Sequence, residues 1–380
     1  MKIAIMTLPI GTNYGGIMQA FALQKVLKNM DHDVTTIDYN IPEPGFFYKK
    51  VRTAYRFSRK VTGKYKKPIY IEKNKNYILK NTLDFIHQNI FLSEHITNTK
   101  DLKRHFKRSD YDAVIVGSDQ TWRPKYSPNI YNFYLSFLKN NKNIKRIAYA
   151  SSFGVNNWEY SKEETKKCIK LVKLFDTVSV REQSGINLCK ERLGVDSEFA
   201  LDPTLLLHKK DYLNLVGSKY NSDKSEGVFT YFLDSNESKV STAQLIANKL
   251  STHTYSCQAE KDVRSLENYT IDDYVMPMVE DWLASFANAS FIITDSFHGM
   301  IFSIIFEKPF VIIVNKERGS ARFESLLKSL GGMHHLYYEC RYINEDVSKV
   351  VSLKPLDEYK LLTLKNKSLD FLRNTLEAYN

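Results

Sequence analysis

The sequence predicts an α/β protein with two doubly wound parallel sheets that face each other across a cleft. Short apolar segments alternate with segments of helical period along most of the 380 residues, and the alternation starts again after a linker at Asp202. Strands that alternate with helices build parallel sheets, and a chain of this length exceeds what one compact core usually needs. We expect a first domain at 1–203 with an insertion at 41–100, a second domain at 204–356, and a terminal helix at 357–380 that packs back on the first.

Periodicity and turn residues predict the elements in order along the chain. An apolar strand at 2–8 leads through a glycine-containing loop into a helix at 17–30, which has apolar side chains every three or four positions. The other strands of the first half are predicted at 34–38, 111–116, 146–150, 177–180 and 198–201, with helices at 76–89, 162–175 and 183–193. The second half has predicted strands at 227–233, 252–256, 291–294 and 310–314, with helices at 237–250, 279–287, 299–306, 318–330 and 357–379.

The net charge of +11 is concentrated in one segment of the chain. Residues 49–80 contain twelve Lys and Arg side chains and one acidic side chain, Glu72, so this segment alone accounts for the net charge. Its first part has the pattern of a basic amphipathic helix, which is typical of contact with an anionic membrane surface. A solvated insertion is the alternative. Nucleic acid is not an expected partner, because the segment lacks the signatures of common nucleic-acid-binding folds.

Several protein classes are excluded by what the sequence lacks. The four cysteines are widely spaced and include no CxxC pair, which rules out a zinc ribbon and a thioredoxin-type site. No apolar run reaches the length that spans a bilayer, and the N-terminal segment predicts a strand and not a signal peptide. We expect a cytoplasmic protein that needs no metal and no cofactor.

The most informative segment runs from a buried strand into an apolar helix through the sequence TDSFHGM. The candidate residues of this turn are Ser296, Phe297, His298 and Gly299. A helix N-terminus binds anions through its free N–H groups and its dipole, and His298 is a candidate to hold a phosphate or to act as an acid or base. The alternative is that Asp295 or Ser296 only caps the helix and that His298 is an ordinary surface residue.

Three arginines are candidates to bind an anionic ligand. Arg181 closes the strand at 177–180, where a guanidinium can grip a carboxylate or a phosphate with two hydrogen bonds. Arg318 and Arg322 open the helix that follows the last predicted strand and are candidates to face the same cleft as His298. A salt bridge for Arg181 and a solvated helix start for the other two are the alternatives.

Two polar turns are candidates for sugar binding. One is the sequence GSDQTW after a buried strand, since short polar side chains hydrogen-bond sugar hydroxyls and a tryptophan ring stacks on a sugar face. The candidate residues are Ser118, Gln120 and Trp122 in this turn, and Asn13, Tyr14, Gly15 and Gly16 in the N-terminal loop. Asp119 is the candidate general base. An ordinary turn with Trp122 in the core is the alternative. The N-terminal loop lacks the spacing of a dinucleotide-binding loop and the lysine of a P-loop.

Several of these segments, taken in order, resemble the polysaccharide pyruvyltransferase family. The matching segments are TLPIGTNYGGIMQAFALQKVL, DAVIVGSDQTWRP, the strand that ends in Arg181 and Glu182, ALDPTLLL, and TDSFHGMIFSIIFEKPFVII. They extend from about residue 2 to residue 330, and their order and spacing make the resemblance more specific than any single motif.

The resemblance implies two Rossmann-like domains of the glycosyltransferase B type. It also implies transfer of pyruvate from phosphoenolpyruvate onto two hydroxyls of a sugar, as a cyclic ketal, with His298 and Arg181 holding the donor. Ser296 stands where many members have an arginine, and Phe297 where they have a leucine, so one donor-binding cation is absent. Arg318 or Arg322 is the candidate to replace it.

The expected acceptor is a saccharide of an exopolysaccharide or of the cell envelope, either as the polysaccharide or as its lipid-linked precursor. A lipid-linked acceptor would bring the enzyme to the inner face of the membrane, in keeping with the basic segment 49–80. The alternative function is a glycosyltransferase of the same fold that uses a sugar nucleotide. Such an enzyme would also place a phosphate at the second-domain helix, but it would not need Arg181 for the carboxylate of a small donor.

Overall fold

A computed structural model describes residues 1–40, 74–139, 141, 143–221, 225–260, 270–315 and 319–377. Most of the basic segment 49–80, including its predicted amphipathic helix, lies outside the described residues, as does Arg318. Within these ranges no helix combines the length and the apolar character needed to cross a membrane. No group of His, Cys, Asp and Glu side chains in the same ranges is arranged to hold a metal ion.

The first sheet lies in the N-terminal half, and its strands are all parallel. They are β1 (Lys2–Met6), β2 (Asp33–Thr36), β3 (Ala113–Gly117), β4 (Lys145–Ser151), β5 (Thr177–Val180) and β6 (Glu198–Phe199). Their order is β2-β1-β3-β4-β5-β6, with Ile3 opposite both Val34 and Ala113. The chain reverses its direction across the sheet between β1 and β3. In doubly wound sheets, ligands bind beyond the carboxyl ends of strands at such a reversal.

The second sheet repeats this arrangement. Its strands are β7 (Val228–Tyr231), β8 (Thr254–Ser256), β9 (Phe291–Thr294), β10 (Phe310–Ile313) and β11 (Leu336–Tyr337), in the parallel order β11-β10-β9-β7-β8. The reversal falls between β7 and β9, so the crevice of this sheet opens where β9 ends. The predicted α/β class with two parallel sheets is confirmed.

The helices cover both sheets. In the first half they are α1 (Tyr14–Lys28), α2 (Lys75–Ile78), α3 (Lys80–Asn89), α4 (Thr99–Arg108), α5 (Lys162–Val172) and α6 (Gln183–Leu188). The second half has α7 (Lys209–Val216), α8 (Glu237–Lys249), α9 (Val279–Asn288), α10 (Phe297–Ile305), α11 (Ala321–Leu330), α12 (Cys340–Asn344), α13 (Val347–Val351) and α14 (Glu358–Glu377). Asn13 caps α1 by accepting a hydrogen bond from the N–H of Gly15, which fixes the loop after β1.

Some elements differ from their predicted bounds. The predicted helix at 76–89 is two helices, α2 and α3, that meet at Leu79. Helix α4 is not predicted by the apolar pattern because few of its residues, among them Leu102 and Phe106, are apolar and buried. Helix α10 starts at Phe297 and not at Gly299, since Ser296 is its cap. His298 therefore lies inside the first turn of the helix.

Large aromatic side chains join the two sheets. The Tyr14 ring stacks on the Trp282 ring with 5.1 Å between centroids, and the Tyr14 hydroxyl donates to the carbonyl of Pro277 at 2.8 Å. The N–H of Gln183 donates to the hydroxyl of Ser325 at 2.9 Å, which ties α6 to α11. These contacts hold the carboxyl ends of the two sheets against each other.

Helix α14 lies against the first sheet, although it follows the second in sequence. Its Ser368 hydroxyl accepts a hydrogen bond from the N–H of Leu201 at 3.0 Å, and Lys145 donates to the carbonyl of Thr375 at 2.6 Å. The chain thus crosses back to its first half before it ends in α14, and this return adds a covalent and packed connection between the halves.

Candidate functional site

Strand ends from both sheets meet at one small cavity of about 60 Å³. The turn after β3 borders it from the first sheet, and the turn after β9 and the start of α11 border it from the second. The lining residues are Asn13, Asp119, Gln120, Tyr126, Leu233, Asp295, Ser296, Phe297, His298, Arg322 and Phe323. The cavity brings together most of the residue types that the sequence predicts for an anion site.

A larger groove of about 950 Å³ lies between α14 and the first sheet. It is lined by Lys145 and Thr177, which stand at the amino ends of their strands. Doubly wound sheets bind ligands at the opposite ends of their strands, so the small cavity is the candidate site.

Arg181 lies behind this cavity and is paired with two carboxylates. Its Nη1 donates to Asp202, and its Nη2 donates to Oδ1 of Asp119 at 3.1 Å. Burial alone would lower the pKa of Arg181, but the charges of Asp202 and Asp119 outweigh this and raise it. The salt bridge named as the alternative for Arg181 is therefore present in the structure, since both Nη groups bind protein carboxylates.

Asp202, predicted to lie in the linker between the domains, is part of the site. Its Oδ2 binds Arg181 and lies 3.6 Å from Nε2 of His298, while its Oδ1 accepts hydrogen bonds from the N–H and hydroxyl of Thr204. Burial tends to raise the pKa of Asp202, yet the contact with His298 and the charge of Arg181 hold it well below its ordinary value. Asp202 follows the end of β6, as Arg181 follows the end of β5. A charged residue after a predicted strand is the sequence feature by which Asp202 could have been predicted as a site residue.

His298 comes from the second domain but is enclosed by the first. It is buried in the first turn of α10, and a Cβ built on Gly15 would lie only 2.1 Å from its Nδ1. Its Nε2 has no hydrogen-bond partner among the described residues, because 3.6 Å to Asp202 is too long for one. The alternative of an ordinary surface histidine is wrong.

The neighbouring Asp295 and Ser296 hold the turn. Asp295 accepts hydrogen bonds from the N–H of Leu233 at 2.6 Å and from Nζ of Lys239 at 2.6 Å. The Ser296 hydroxyl accepts a hydrogen bond from the N–H of Gly299 at 3.3 Å as the N-cap of α10. A carboxylate engaged in this way joins the turn after β7 to the turn after β9, so Asp295 has a structural role.

Arg322 is a buried cation without an ion-pair partner among the described residues. Its guanidinium carbon lies 5.2 Å from the centre of the Phe297 ring, and that of Arg181 lies 4.8 Å from the same ring. Its Nε has no hydrogen-bond partner in the described part of the chain. Burial and the nearby charge of Arg181 lower the pKa of Arg322 to about 10. Burying a charge without an ion-pair partner is costly, and Arg322 borders the cavity.

Asp119 borders the cavity in its ionised form. Burial tends to raise its pKa, but the charges of Arg181, His298 and Arg322 lower it below the ordinary value. A carboxylate with a depressed pKa is a weak proton acceptor. Asp119, the predicted general base, borders the cavity, but the charge balance in this structure does not favour that role.

Trp122 does not reach the cavity. It is fully buried, stacks on Tyr134 with 4.9 Å between centroids, and donates from Nε1 to the carbonyl of Phe133 at 3.0 Å. A sugar cannot stack on a ring without an exposed face, so the expected stacking by Trp122 is wrong and the alternative of a core residue holds. The apolar ring fills the core of the first domain.

The other residues predicted for sugar binding divide into two groups. The hydroxyl of Ser118 is buried and donates to the carbonyl of Ala150 at 3.1 Å, and Tyr14 is buried at the interface between the sheets. Gly15 and Gly16 lie inside α1, and neither borders the cavity. The structure places the side chains of Asn13 and Gln120 at the cavity. Tyr126, four residues after Trp122, also borders it and is not predicted by the sequence.

The close approach of Gly15 to His298 gives the first prediction. In Gly15→Ala the new methyl group would lie 2.1 Å from the imidazole, so the helix or the ring must move. We expect a loss of about 1–3 kcal/mol in the free energy of unfolding, measured by chemical denaturation, and shifted imidazole signals of His298 in NMR spectra.

Gly16→Ala is the matched control for this prediction. A Cβ at Gly16 meets no atom nearer than 3.8 Å, and alanine is favoured over glycine inside a helix by roughly 0.5–1 kcal/mol. Gly16→Ala should therefore leave the stability unchanged or raise it. Equal losses in the two variants would contradict the contact.

The second prediction concerns the pH dependence of stability. The folded pKa of Asp202 is depressed, so its stabilising contribution is present above its ordinary pKa and is lost as the pH falls through the folded value. Asp202→Asn should cost about 3–5 kcal/mol at neutral pH, as expected for a broken buried pair. Denaturant titrations should show this difference from the wild type narrowing below a pH of about 4.

Asp370 supplies the control for the pH series. It pairs with Arg373 at 3.3 Å on the surface of α14, where the aspartate is 59% exposed, and exposed pairs contribute at most about 1 kcal/mol. Asp370→Asn should change little at any pH. A cost of Asp202→Asn that stays constant from neutral to acidic pH would count against the linkage.

Comparison with solved structures describes the fold. UDP-GlcNAc 2-epimerase from Neisseria meningitidis bound to UDP-GlcNAc superposes with a TM-score of 0.57 at 11% identity, covering 100% of both chains. The Methanocaldococcus jannaschii UDP-GlcNAc 2-epimerase complex with UDP-GlcNAc and UDP gives 0.55 at 10% identity over 98% and 99% of the chains. The glycotransferase of kitacinnamycin gives 0.50 at 13% identity over 99% of each. These similarities establish two Rossmann-like domains of the glycosyltransferase B type and, at such low identity, only the fold.

Sequence comparison identifies the family. No curated protein sequence matches the chain significantly. The family model described as polysaccharide pyruvyl transferase matches residues 13–317, a range that contains Asp119, Arg181, Asp202 and His298. That match covers most of the chain and confirms the resemblance seen in the motifs: the protein belongs to the polysaccharide pyruvyl transferase family.

Proposed function

We propose that the protein transfers the pyruvyl group of phosphoenolpyruvate onto two hydroxyls of one sugar and forms a cyclic ketal. The acceptor is a polysaccharide of the cell envelope or its lipid-linked precursor. The observation that carries the proposal is the pairing state of the cavity: Arg322 has no ion-pair partner among the described residues, and Nε2 of His298 has no hydrogen-bond partner there. Such groups favour an anion, and phosphoenolpyruvate has both a phosphate and a carboxylate.

The reaction needs a proton donor, two deprotonated hydroxyls and a site for the departing phosphate. Protonation of the methylene carbon of phosphoenolpyruvate makes the adjacent carbon electrophilic, and one sugar hydroxyl adds there and loses its proton. Phosphate then leaves with the electron pair of the C–O bond, and the second hydroxyl closes the ring and loses its proton. The products are the ketal and inorganic phosphate. Fixed positive groups stabilise the negative charge that grows on the phosphate.

Different residues bind the phosphate and the carboxylate of the donor. His298 and the first turn of α10, capped by Ser296 and containing Gly299, hold the phosphate. Arg322 replaces the arginine that the family motif would have at Ser296, and Phe297 holds both guanidiniums against its ring. Arg318 lies outside the described residues, so Arg322 is our candidate.

Arg181 and Asp119 change partners when the donor binds. The contact between them is 3.1 Å long, and Asp119 borders the cavity whereas Asp202 is fully enclosed. We infer that the donor carboxylate takes the place of Asp119 on Arg181. Loss of the cation and approach of an anion both raise a carboxylate's pKa, so Asp119 becomes a better base when the donor is in place.

The function is tested with the donor, a set of sugar acceptors and one histidine variant. Phosphoenolpyruvate should raise the melting temperature of the wild type, because a ligand of the native state stabilises it, and UDP-glucose should not. Incubation with the donor and an acceptor should release phosphate and add the mass of pyruvic acid minus water to the sugar. His298→Ala should remove both effects, while His334→Ala, at an exposed histidine, should keep them.

The outcomes separate the two functions. Stabilisation by UDP-glucose without stabilisation by phosphoenolpyruvate would support the sugar-nucleotide glycosyltransferase and reject the proposal. Full pyruvyl transfer by His298→Ala would remove His298 from the site.

The missing partner of Arg322 predicts opposite effects on stability and donor binding. Burying a charge that has no ion-pair partner is costly, and methionine removes the charge while keeping an apolar side chain in its place, so Arg322→Met should unfold at a higher temperature than the wild type. The same variant should lose the shift in melting temperature that phosphoenolpyruvate produces.

Arg123→Met is the matched control for Arg322→Met. Arg123 is also buried, but it is bound by Glu159 through two hydrogen bonds of 2.9 and 3.0 Å, so its loss leaves a carboxylate without a partner. We expect Arg123→Met to melt at a lower temperature. A lower melting temperature for Arg322→Met as well would show that Arg322 is needed by the fold and not held for a ligand.

Contact with an anionic membrane through residues 49–80 stays a proposal, supported by the charge of that segment. Each basic side chain near an anionic surface contributes about 1 kcal/mol. Co-sedimentation with phosphatidylserine-containing vesicles at low salt, lost at high salt and absent with neutral vesicles, is the expected result. Equal binding to both vesicle types, or no binding, would reject it.

A further inference from the structure

We propose that Tyr126, Asn13 and Gln120 form the acceptor subsite, in which a pyranose ring stacks on Tyr126 at the mouth of the cavity. Tyr126 has not been assigned any role by the sequence motifs. The subsite rests on the proposed function for the fate of the sugar, whereas its sugar-binding character rests on the geometry of the cavity mouth.

Tyr126 is the exposed aromatic residue of the turn after β3. It is 37% exposed and borders the same cavity as His298 and Arg322. Exposed aromatic rings next to polar groups are the usual platforms for ligands that have one apolar face. The C–H face of a pyranose is such a surface, so Tyr126 takes the role that Trp122 cannot fill.

The ring is held in position before any ligand binds. The guanidinium carbon of Arg123 lies 4.9 Å from the centre of the Tyr126 ring, and Arg123 is fixed by Glu159. The N–H of Tyr126 donates to the carbonyl of Arg123 at 3.0 Å, and Ser127 donates to the carbonyl of Thr121 at 2.9 Å, which closes the turn. A rigid platform binds with a smaller entropy loss than a mobile one.

Two amide groups beside the ring have free hydrogen-bond donors. Oδ1 of Asn13 accepts from the N–H of Gly15, and Oε1 of Gln120 accepts from Arg123 at 3.1 Å. These contacts orient both amides, and their NH₂ groups have no hydrogen-bond partner among the residues that the structure describes. Both residues border the cavity. Oriented amide donors next to an aromatic face match the hydroxyls and the apolar face of a sugar ring.

The small size of the cavity favours its mouth as the place of the sugar ring. A volume of about 60 Å³ corresponds to the space of only a few water molecules, so the cavity in this conformation does not enclose a pyranose. The ring therefore lies at the mouth, on Tyr126, with its two reacting hydroxyls directed inward to the donor carbon. Asp119 borders the cavity and is placed to receive a hydroxyl proton.

The test measures binding of a defined sugar panel to the full chain. The probes are the methyl glycopyranosides of glucose, galactose, mannose and their 2-acetamido derivatives, followed by saturation-transfer NMR. We expect at least one probe to bind, with the strongest transfer to the ring protons of one face. Tyr126→Ala removes the stacking surface, so it should weaken binding of this probe about three- to tenfold, which corresponds to about 0.7–1.4 kcal/mol. Tyr126→Phe should bind like the wild type.

Tyr342→Ala is the matched control. Tyr342 is 47% exposed and also stacked by an arginine, with the guanidinium carbon of Arg341 4.7 Å from its ring centre, but it lies on α12 and does not border the cavity. The Tyr342→Ala variant should bind the probe with the affinity of the wild type. In the transfer reaction, Tyr126→Ala should raise the KM of the sugar and leave the melting-temperature shift by phosphoenolpyruvate intact.

The outcomes distinguish a failure of the acceptor subsite from a failure of the proposed donor. If no probe binds the wild type, or if Tyr126→Ala binds like the wild type, the subsite is rejected even when pyruvyl transfer is observed. If the probe binds through Tyr126 but phosphoenolpyruvate neither binds nor reacts, the subsite stands and the proposed donor fails.

Discussion

The site depends on the pairing of one buried guanidinium. Arg181 is 2% exposed, and a charge at that depth is tolerated only when carboxylates surround it. Asp119 and Asp202 supply them from the ends of two other strands, so three strand ends of the first sheet must converge. Asp202 also faces His298 at 3.6 Å, so the paired charges of the first domain border the turn that the second domain contributes to the cavity.

The two arginines of the site differ in their ion-pair partners. Arg181 has two carboxylates, and Arg322, on the other domain, has none among the described residues, although both guanidiniums share the Phe297 ring. On the proposed function, the paired cation builds the site and the unpaired one is left for the donor. The proposed donor site of a chain with Ser296 in place of an arginine then takes its positive charge from α11 and not from the turn before α10.

Local sequence patterns predicted the structure correctly where the residues of a single strand or helix determine it. The strands at 177–180 and 291–294 occupy the predicted residues, because short, buried, β-branched runs between polar turns allow few alternatives. The buried histidine after β9 was accessible to prediction for the same reason. Pairings between distant strand ends were not, and Asp202 looks like a linker residue until β6 and α10 are placed.

The two aromatic residues of the turn after β3 also could not be told apart from the sequence, although they lie close together in it. Trp122 and Tyr126 are four positions apart, and both are aromatic residues in a polar turn. Which ring enters the core depends on the shape of the space beneath the turn, where Tyr134 and Phe153 enclose Trp122. That space is created by segments far along the chain, so no pattern within the turn distinguishes the two rings.

The shared core has a consequence for how the protein comes apart. One continuous apolar cluster contains side chains of β1, β4, β7, β9 and β10 together with those of α14. Each sheet has one face covered by its own half, but the faces in the shared cluster lose their covering when the halves separate. The two halves therefore lack the independence that usually gives a two-domain protein separate melting steps. We expect one endotherm in a calorimetric scan of such a molecule, and no stable fragment after a protease cuts the linker between the halves.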